Sequence, residues 1–369
     1  TLSISECIVW LIMSKKILCV SLGYEGGCVY YANQLLNHFP TDKIDVWIAA
    51  STEEPFCGKA KKIKVYKGLI GQLWSWTFFL PYYLLLLLLK IWRGRYDRVL
   101  VFGPHNWDTV FVSLCKWCKV PTFLVIHDGV MHVGESSVIH QKMMDVAMKN
   151  AAHWVFLSEF VRQRVEVHIG VQKPSIIIPH GVIVYGDNKT KIEVSPKRYN
   201  LLMIGRINYY KGVDLLADAL PLIDYDRIGT ITLAGKFDEC ISTLKFDNNL
   251  YVRIVNKYLT NDEFDKFVNE NHLLLMPYLE ASQSGVAAVS LGYNIPAIAT
   301  QVGGIPEQLP ADTAYFLEKA SPEALAEAIN AATANAEEYL YKKQHLQSLA
   351  DSLQWEHLAE VLYQYVSNK

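Results

Sequence analysis

From residue 17 onward the chain alternates between two kinds of segment. Short apolar runs, such as Ile17-Leu18-Cys19-Val20 and Thr122-Phe123-Leu124-Val125-Ile126, are followed by a glycine-bearing or polar turn and then by a longer stretch with apolar residues every three or four positions. Runs so short and so evenly apolar suit strands covered on both faces, and the periodic stretches suit amphipathic helices. Together they predict parallel sheets flanked by helices. The first series places strands over 17–21, 45–49, 63–65, 98–102, 122–126, 154–158 and 175–178, with helices over 28–39, up to 118, and over 159–169. A polar stretch over 186–197 interrupts the pattern. A second series follows, with strands over 201–204, 230–234, 250–254, 273–276 and 297–300 and helices over 213–220, 261–269, 322–334, 336–350 and 355–366. The expected organisation is one α/β domain over 13–185, a linker over 186–197, a second α/β domain over 198–352, and a terminal helix over 353–369 that crosses back to the first domain.

Residues 69–92 depart from this pattern, being apolar on every side, and Pro81 is expected to break the helix they form. The segment is long enough to cross a bilayer, yet a strand of soluble type follows at once. Three placements fit: a helix packed in the first domain, a face dipping into a membrane, and a true span. Lys90, Arg93, Arg95 and Arg98 favour anionic headgroups, which makes 69–98 a candidate membrane surface. Residues 1–12 lack the basic start and small-residue cleavage site of a signal peptide and read as material upstream of a start at Met13.

Composition narrows the class. A length of 369 residues suits two domains, and 51% hydrophobic with 20% charged residues suits sizeable cores. A net charge of -2 gives no electrostatic case for nucleic acid as a partner. Seven scattered cysteines point to a reducing compartment, hence a cytoplasmic enzyme. Cys115 and Cys118 form a C-x-x-C with no second pair and read as buried thiols rather than zinc ligands.

The candidate chemistry collects in loops that follow strands. Ser282-Gln283-Ser284-Gly285 stands where a helix opens, and Gly303-Gly304 makes a similar turn one strand along, with Glu307 in the helix behind it. Such turns aim backbone N–H groups and the positive end of a helix dipole at one spot, an anion site, although ordinary βα loops look alike. Arg206 and Lys211 share the loop that begins at Gly205, after the first strand of the second domain. Two cations and a helix start converging on one point are what a diphosphate needs; the alternative is a pair of solvated surface cations. In the first domain Gly26 and Gly27 precede a helix without the spacing of a dinucleotide fingerprint. His127-Asp128 ends a strand, where a histidine serves either packing or a ligand.

The run G-R-I-N-Y-Y-K-G-V-D-L-L-A-D-A-L resembles the G-R-x-x-x-x-K-G-x-x-x-L-x-x-A signature of retaining glycosyltransferases of family 4. The resemblance extends from Met13 to about Asn368 through H-D, S-E-F-V-R, I-P-H-G-V, P-Y-L-E-A-S-Q-S-G and I-A-T-Q-V-G-G-I-P-E. It implies a GT-B fold, two Rossmann-like doubly wound domains facing each other across a cleft. It also implies metal-independent hexosyl transfer with retention, from a UDP-sugar or GDP-sugar donor to a saccharide or lipid-linked acceptor in cell-surface polysaccharide synthesis, capsule or lipopolysaccharide. No cofactor or metal is expected, and the location implied is cytoplasmic, peripheral on the inner face of the membrane. By the same resemblance Arg206 and Lys211 neutralise the donor diphosphate, Gly26 and Gly27 let the first loop approach it, and His127 contacts the donor sugar.

The match departs from the family at its E-x7-E motif, which sets one glutamate on the donor sugar and one on the ribose. Framed on Gly285, the first falls at Ser282, with Glu280 two residues upstream, and the second at Val289 or Ser290. A Q-S-G subgroup of the family shares this form. Two other readings therefore stand beside the transferase: a non-catalytic nucleotide-sugar-binding subunit and a GT-B-type nucleotide-sugar epimerase.

Overall fold

The structure, a computed structural model, describes residues 15–24, 26–52, 56–65, 68–130, 138–186, 196–247 and 249–369. Two units divide the chain, one formed by the residues up to Pro179 with Trp355–Lys369 and the other by His180–Gln354. Reading the sequence puts the division in the polar stretch, most of which lies outside the described residues. It falls earlier because the Val182 N–H donates to Leu353 O and the Ile183 N–H to Ala288 O, which bonds this segment into the second unit.

In the first unit β1 (Lys16–Ser21), β2 (Ile44–Ala49), β3 (Ala60–Ile63), β4 (Tyr96–Phe102), β5 (Thr122–Ile126), β6 (His153–Phe156) and β7 (Ser175–Ile177) form a parallel sheet in the order β3-β2-β1-β4-β5-β6-β7. Leu18, Val20, Val99, Val101, Leu124 and Trp154 lie in its core, which is why these strands read as continuous apolar runs. The helices are α1 (Gly27–Asn37), α2 (Leu69–Trp74), α3 (Leu80–Trp92), α4 (Asp108–Trp117), α5 (Val138–Asn150) and α6 (Glu159–Ile169). The sequence pattern does not reveal α5, because Ala147 and Met148 are its buried residues and no full apolar stripe runs along it. Cys115 is buried and Cys118 half-buried, both as free thiols.

Pro81 does not break the apolar segment. Ser75–Phe79 form a π turn between α2 and α3, and the Leu80 N–H reaches back to Ser75 O. The wider turn accommodates the proline at the start of α3, where a missing N–H is tolerated. The segment Ile70–Trp92 is long and apolar enough to cross a membrane, yet only 22% of its most apolar window is buried. Leu80, Tyr83 and Leu87 pack into the core. Ile70, Leu73, Trp74, Phe78, Tyr82, Leu85, Leu89 and Trp92 are exposed, at intervals of one, three or four residues that trace one helical face, and Trp76 is exposed away from it.

The second unit repeats the architecture. Its strands β8 (Tyr199–Ile204), β9 (Ile228–Gly235), β10 (Val252–Asn256), β11 (Leu273–Met276), β12 (Ala297–Thr300) and β13 (Ala314–Leu317) run parallel in the order β10-β9-β8-β11-β12-β13. Its helices are α7 (Val213–Ala219), α8 (Asn261–Asn269), α9 (Gly285–Tyr293), α10 (Ile305–Gln308), α11 (Pro322–Ala334) and α12 (Ala336–Ser352). A capping box at Thr260 and Glu263 starts α8 where the sequence places it. The last helix, α13 (Trp355–Ser367), belongs to the first unit. Its Trp355 ring meets Tyr30 and Tyr31 of α1 edge-on at 6.0 and 5.6 Å, and its Tyr363 meets Phe39 at 5.5 Å.

Candidate functional site

Each sheet reverses its strand order once, between β1 and β4 in the first unit and between β8 and β11 in the second. Loops leaving the carboxyl ends of such a strand pair run to opposite faces and leave a crevice between them. Gly26 and Gly27 follow β1, Gly205, Arg206 and Lys211 follow β8, and Glu280 to Gly285 follow β11, whereas His127 follows β5 and Gly303, Gly304 and Glu307 follow β12.

In the second unit the loop after β8 and the loop after β11 are joined by a bond from the Leu279 N–H to Tyr210 O, 2.7 Å long. Gly212 has φ +74°, and a Cβ there would lie 1.9 Å from Pro277 O, so this approach requires glycine. Lys211 closes a short 3₁₀ turn and points back under the loop. Its Nζ donates to Ile204 O at 3.2 Å and sits 5.6 Å from the centroid of the Tyr278 ring. Burial, and then the positive charge of Arg206, pull its pKa down from 10.5 to about 8. No carboxylate among the described residues pairs with it. Arg206 itself is exposed at the mouth of the loop.

From Tyr278 the contacts continue to the start of α9. The Tyr278 hydroxyl lies 3.4 Å from Ser284 Oγ, and Ser284 caps α9 by accepting the Val286 N–H at 3.1 Å. The Ser284 N–H is taken by Gln308 Oε1 at 2.7 Å, and the Ala287 N–H by Ser284 O at 3.1 Å. Three of the amides that open α9 are thus engaged, and Gly285, which is exposed, supplies the N–H left for a ligand. The anion site is narrower than the sequence suggests. Gly303, with φ +56°, makes the next turn, and the Gly304 N–H bonds to Ser282 O at 3.1 Å. Ser282 is buried, Gln283 and Glu280 half-buried, and Glu307 exposed in the first turn of α10. Arg206, Lys211, Gly205, Ser282, Ser284, Gly285 and Gly304 therefore belong to one connected set of loops. Val289 and Ser290, framed for the second family glutamate, are buried inside α9, and the Ser290 hydroxyl donates to Ile295 O at 2.6 Å.

Two members of the set are not apparent in the sequence. Tyr278 lies two residues past the strand expected over 273–276, and Gln308 ends a four-residue helix; nothing in the spacing marks either one.

In the first unit Gly26 caps α1 with φ +89°, and a Cβ at Gly26 or Gly27 would meet nothing within 4 Å. The space above this helix start is open. A cavity of about 290 Å³ lies between the loops after β1 and β4, lined by Tyr24, Cys28, Phe102, Pro104 and His105 among others. The His105 ring stands edge-on to Tyr24 at 6.1 Å, and the His105 N–H donates to Asp108 Oδ2 at 2.6 Å. Burial raises the Asp108 carboxyl to about 8 and lowers His105 to about 4. His127 is buried at the end of β5, edge-on to Tyr31 at 5.1 Å, and borders a smaller cavity shared with His105, Asp108 and Asp128. Among the described residues no three His, Cys, Asp or Glu gather as they would around a metal ion.

Known proteins carry the same architecture. An Anabaena HepE structure in complex with UDP superposes with a TM-score of 0.74 at 15% identity, covering 96% of this chain and 100% of that one. WaaG, described as a glycosyltransferase involved in lipopolysaccharide biosynthesis, gives 0.65 at 15% identity over 96% and 100%. At that identity the likeness is one of fold. An uncharacterised glycosyltransferase of Methanocaldococcus jannaschii is 26% identical over 216 residues, 57% of this chain and 58% of its own length. An uncharacterised protein of the Klebsiella pneumoniae cps region is 24% identical over 161 residues, 42% and 44%. The chain thus spans about half the length of these curated relatives. Residues 25–184 match the family described as Glycosyltransferase Family 4, and residues 198–335 match Glycosyl transferases group 1. The chain is therefore built from the paired domains of the group 1 and family 4 glycosyltransferases, in a GT-B fold of two parallel-sheet α/β units.

Proposed function

We propose that the chain transfers a hexosyl group, with retention and without a metal ion, from a UDP-sugar or GDP-sugar to a saccharide or lipid-linked acceptor in cell-surface polysaccharide synthesis. The observation that carries this reading is Lys211, a buried ammonium beside Arg206 with a carbonyl and an aromatic ring as its contacts. A cation held in that way calls for an anion, and a diphosphate supplies one that grows more negative as the sugar leaves. In the step itself the acceptor oxygen bonds to the anomeric carbon on the face from which the diphosphate departs, and the acceptor proton passes to the departing phosphate oxygen. The first unit holds the acceptor, and His127 contacts the donor sugar.

Purified chain incubated with UDP- and GDP-sugars and a panel of saccharide and lipid-linked acceptors is expected to release nucleoside diphosphate only when the right acceptor is present. Arg206→Ala and Lys211→Ala each lower turnover by about two powers of ten or more. Near-normal transfer by both variants overturns the assignment. Donor binding without transfer would identify a binding subunit, which the buried Val289 and Ser290 favour in offering no carboxylate for the ribose. Sugar interconversion without acceptor would identify an epimerase.

The same proposal seats α2 and α3 on the cytoplasmic leaflet. Support comes from their exposed stripe of Trp74, Phe78, Tyr82 and Trp92. Of the four cations the sequence offers to headgroups, Lys90 and Arg95 pair with Asp45 and Arg98 with Asp97, so the exposed Arg93 is the one that remains for anionic lipid. Flotation with anionic vesicles should carry the chain upward, and Trp74→Ser with Phe78→Ser should release it. No flotation of the unaltered chain rejects the membrane placement.

A further inference from the structure

Gln308 holds the backbone of Ser284, the residue that caps α9, through the peptide groups on both sides of its Cα. Its Oε1 accepts the Ser284 N–H at 2.7 Å, and its Nε2 donates to Ser284 O at 3.3 Å, so one carboxamide satisfies both polar groups of one residue. Both residues are buried. Gln308 ends α10, the helix behind the Gly303-Gly304 turn, and the Gly304 N–H is bonded in turn to Ser282 O. Ser284 reaches Tyr278 through its hydroxyl, and the Tyr278 ring lies against Lys211 Nζ. A continuous set of contacts therefore runs from Gln308 to the buried ammonium.

We propose that Gln308 is a positioning residue for the donor diphosphate, fixing the Ser284 peptide so that the Gly285 N–H and the start of α9 meet the phosphate while adding no charge of its own. This rests on the diphosphate reading above and deepens it. The two bonds need a group that both accepts and donates, and a carboxamide does so at any pH without a charge, whereas a glutamate of the same length does so only when protonated. A glutamate could keep the bond to the Ser284 N–H, but it would lose the bond to Ser284 O and set a negative charge beside the phosphates. A leucine would lose both bonds and leave a buried N–H without a partner.

The test measures UDP and GDP binding calorimetrically on the full chain carrying Gln308→Leu, Gln308→Glu or Arg206→Ala, with melting recorded without nucleotide. Gln308→Leu is expected to weaken nucleotide binding about tenfold, and Gln308→Glu about a hundredfold or more because repulsion is added to misalignment. A group that merely braced the fold would give the opposite order, since glutamate keeps the shape and one bond. Nucleotide affinity unchanged in both Gln308 variants, while Arg206→Ala loses it, overturns the role of Gln308 and leaves the diphosphate site standing. So does Gln308→Glu binding better than Gln308→Leu. Should the leucine variant fail to fold, the glutamate variant decides alone, a loss below threefold rejecting the proposal. No binding of UDP or GDP by the unaltered chain overturns the inference and the diphosphate reading together.

Discussion

Replacing Lys211 with methionine should separate two effects of opposite sign. The residue is 8% exposed, and its pKa falls from 10.5 to about 8. That fall corresponds to about 3 kcal/mol of disfavoured charging in the folded chain. Methionine keeps a long unbranched stem and carries no charge, so without ligand the Lys211→Met chain is expected to melt at the same temperature or a few degrees higher, at about 2–4 °C per kcal/mol. In binding the sign reverses. A diphosphate that loses a desolvated charged partner loses on the order of 2–5 kcal/mol, or roughly thirty- to several-thousandfold in Kd. Scanning fluorimetry without nucleotide and calorimetry with UDP and GDP, on one preparation, read both effects. A Kd within about threefold of the unaltered chain, less than about 1 kcal/mol, refutes the role given to this ammonium. A drop in the ligand-free melting temperature would show instead that Lys211 braces the loop.

The same lysine predicts a pH dependence. A bound diphosphate raises its pKa again, so binding takes up a proton above about pH 8, and UDP affinity should fall by up to about tenfold per pH unit there; the Lys211→Met chain should show no such slope. Asp108 titrates in the opposite sense. Its folded pKa of about 8 lies above the ordinary 3.8, so the folded chain holds the proton more tightly and loses stability as pH rises from about 4 to 8. Asp108→Asn keeps an acceptor for the His105 N–H and should be the more stable chain at pH 8 in a melting series, and a variant less stable there contradicts the assignment. Gly212→Ala combines a left-handed φ with a Cβ 1.9 Å from Pro277 O, which should cost about 2–5 kcal/mol. Circular dichroism melts should fall accordingly, and unchanged melting would mean the two loops can part freely.

Much of this was legible in the sequence because the signals were local. An apolar run between turns marks a buried parallel strand whatever its neighbours, and Thr122–Ile126, Leu273–Met276 and Ala297–Thr300 stand where the pattern puts them. The starts of α6 and α8 also fall where the apolar periodicity puts them, and the structure caps them with Ser158 and Thr260. Signals depending on partners distant in the chain did not show. The segment after Pro179 is short and apolar, and its bonds to Ala288 and Leu353 lie more than 100 residues away. Pro81 read as a break because the π turn before it leaves no mark in composition. The segment 70–92 is apolar on both faces, so periodicity could not say which was buried; Tyr83 and Leu87 in the core, with Tyr82 and Leu85 exposed, do.

At the candidate site the cations were legible and the groups that hold the site together were not. Arg206 and Lys211 stand out because charge between glycines after a strand is unusual, whereas Tyr278 and Gln308 have meaning only through what they touch. Lys211, Tyr278, Ser284 and Gln308 link the loop after β8, the loop after β11 and the helix beyond β12, and none of the four is acidic. An acid in that set would pair with Lys211 and compensate its burial, stabilising the empty site while weakening its attraction for a ligand. Holding the loops with a phenol, a hydroxyl and a carboxamide instead keeps the ammonium and the start of α9 available to the same incoming charge. The lowered pKa of Lys211 is the cost of that arrangement in the empty protein. Its reversal on binding UDP, read as proton uptake above pH 8, is the measurement that ties the fold of these loops to their chemistry.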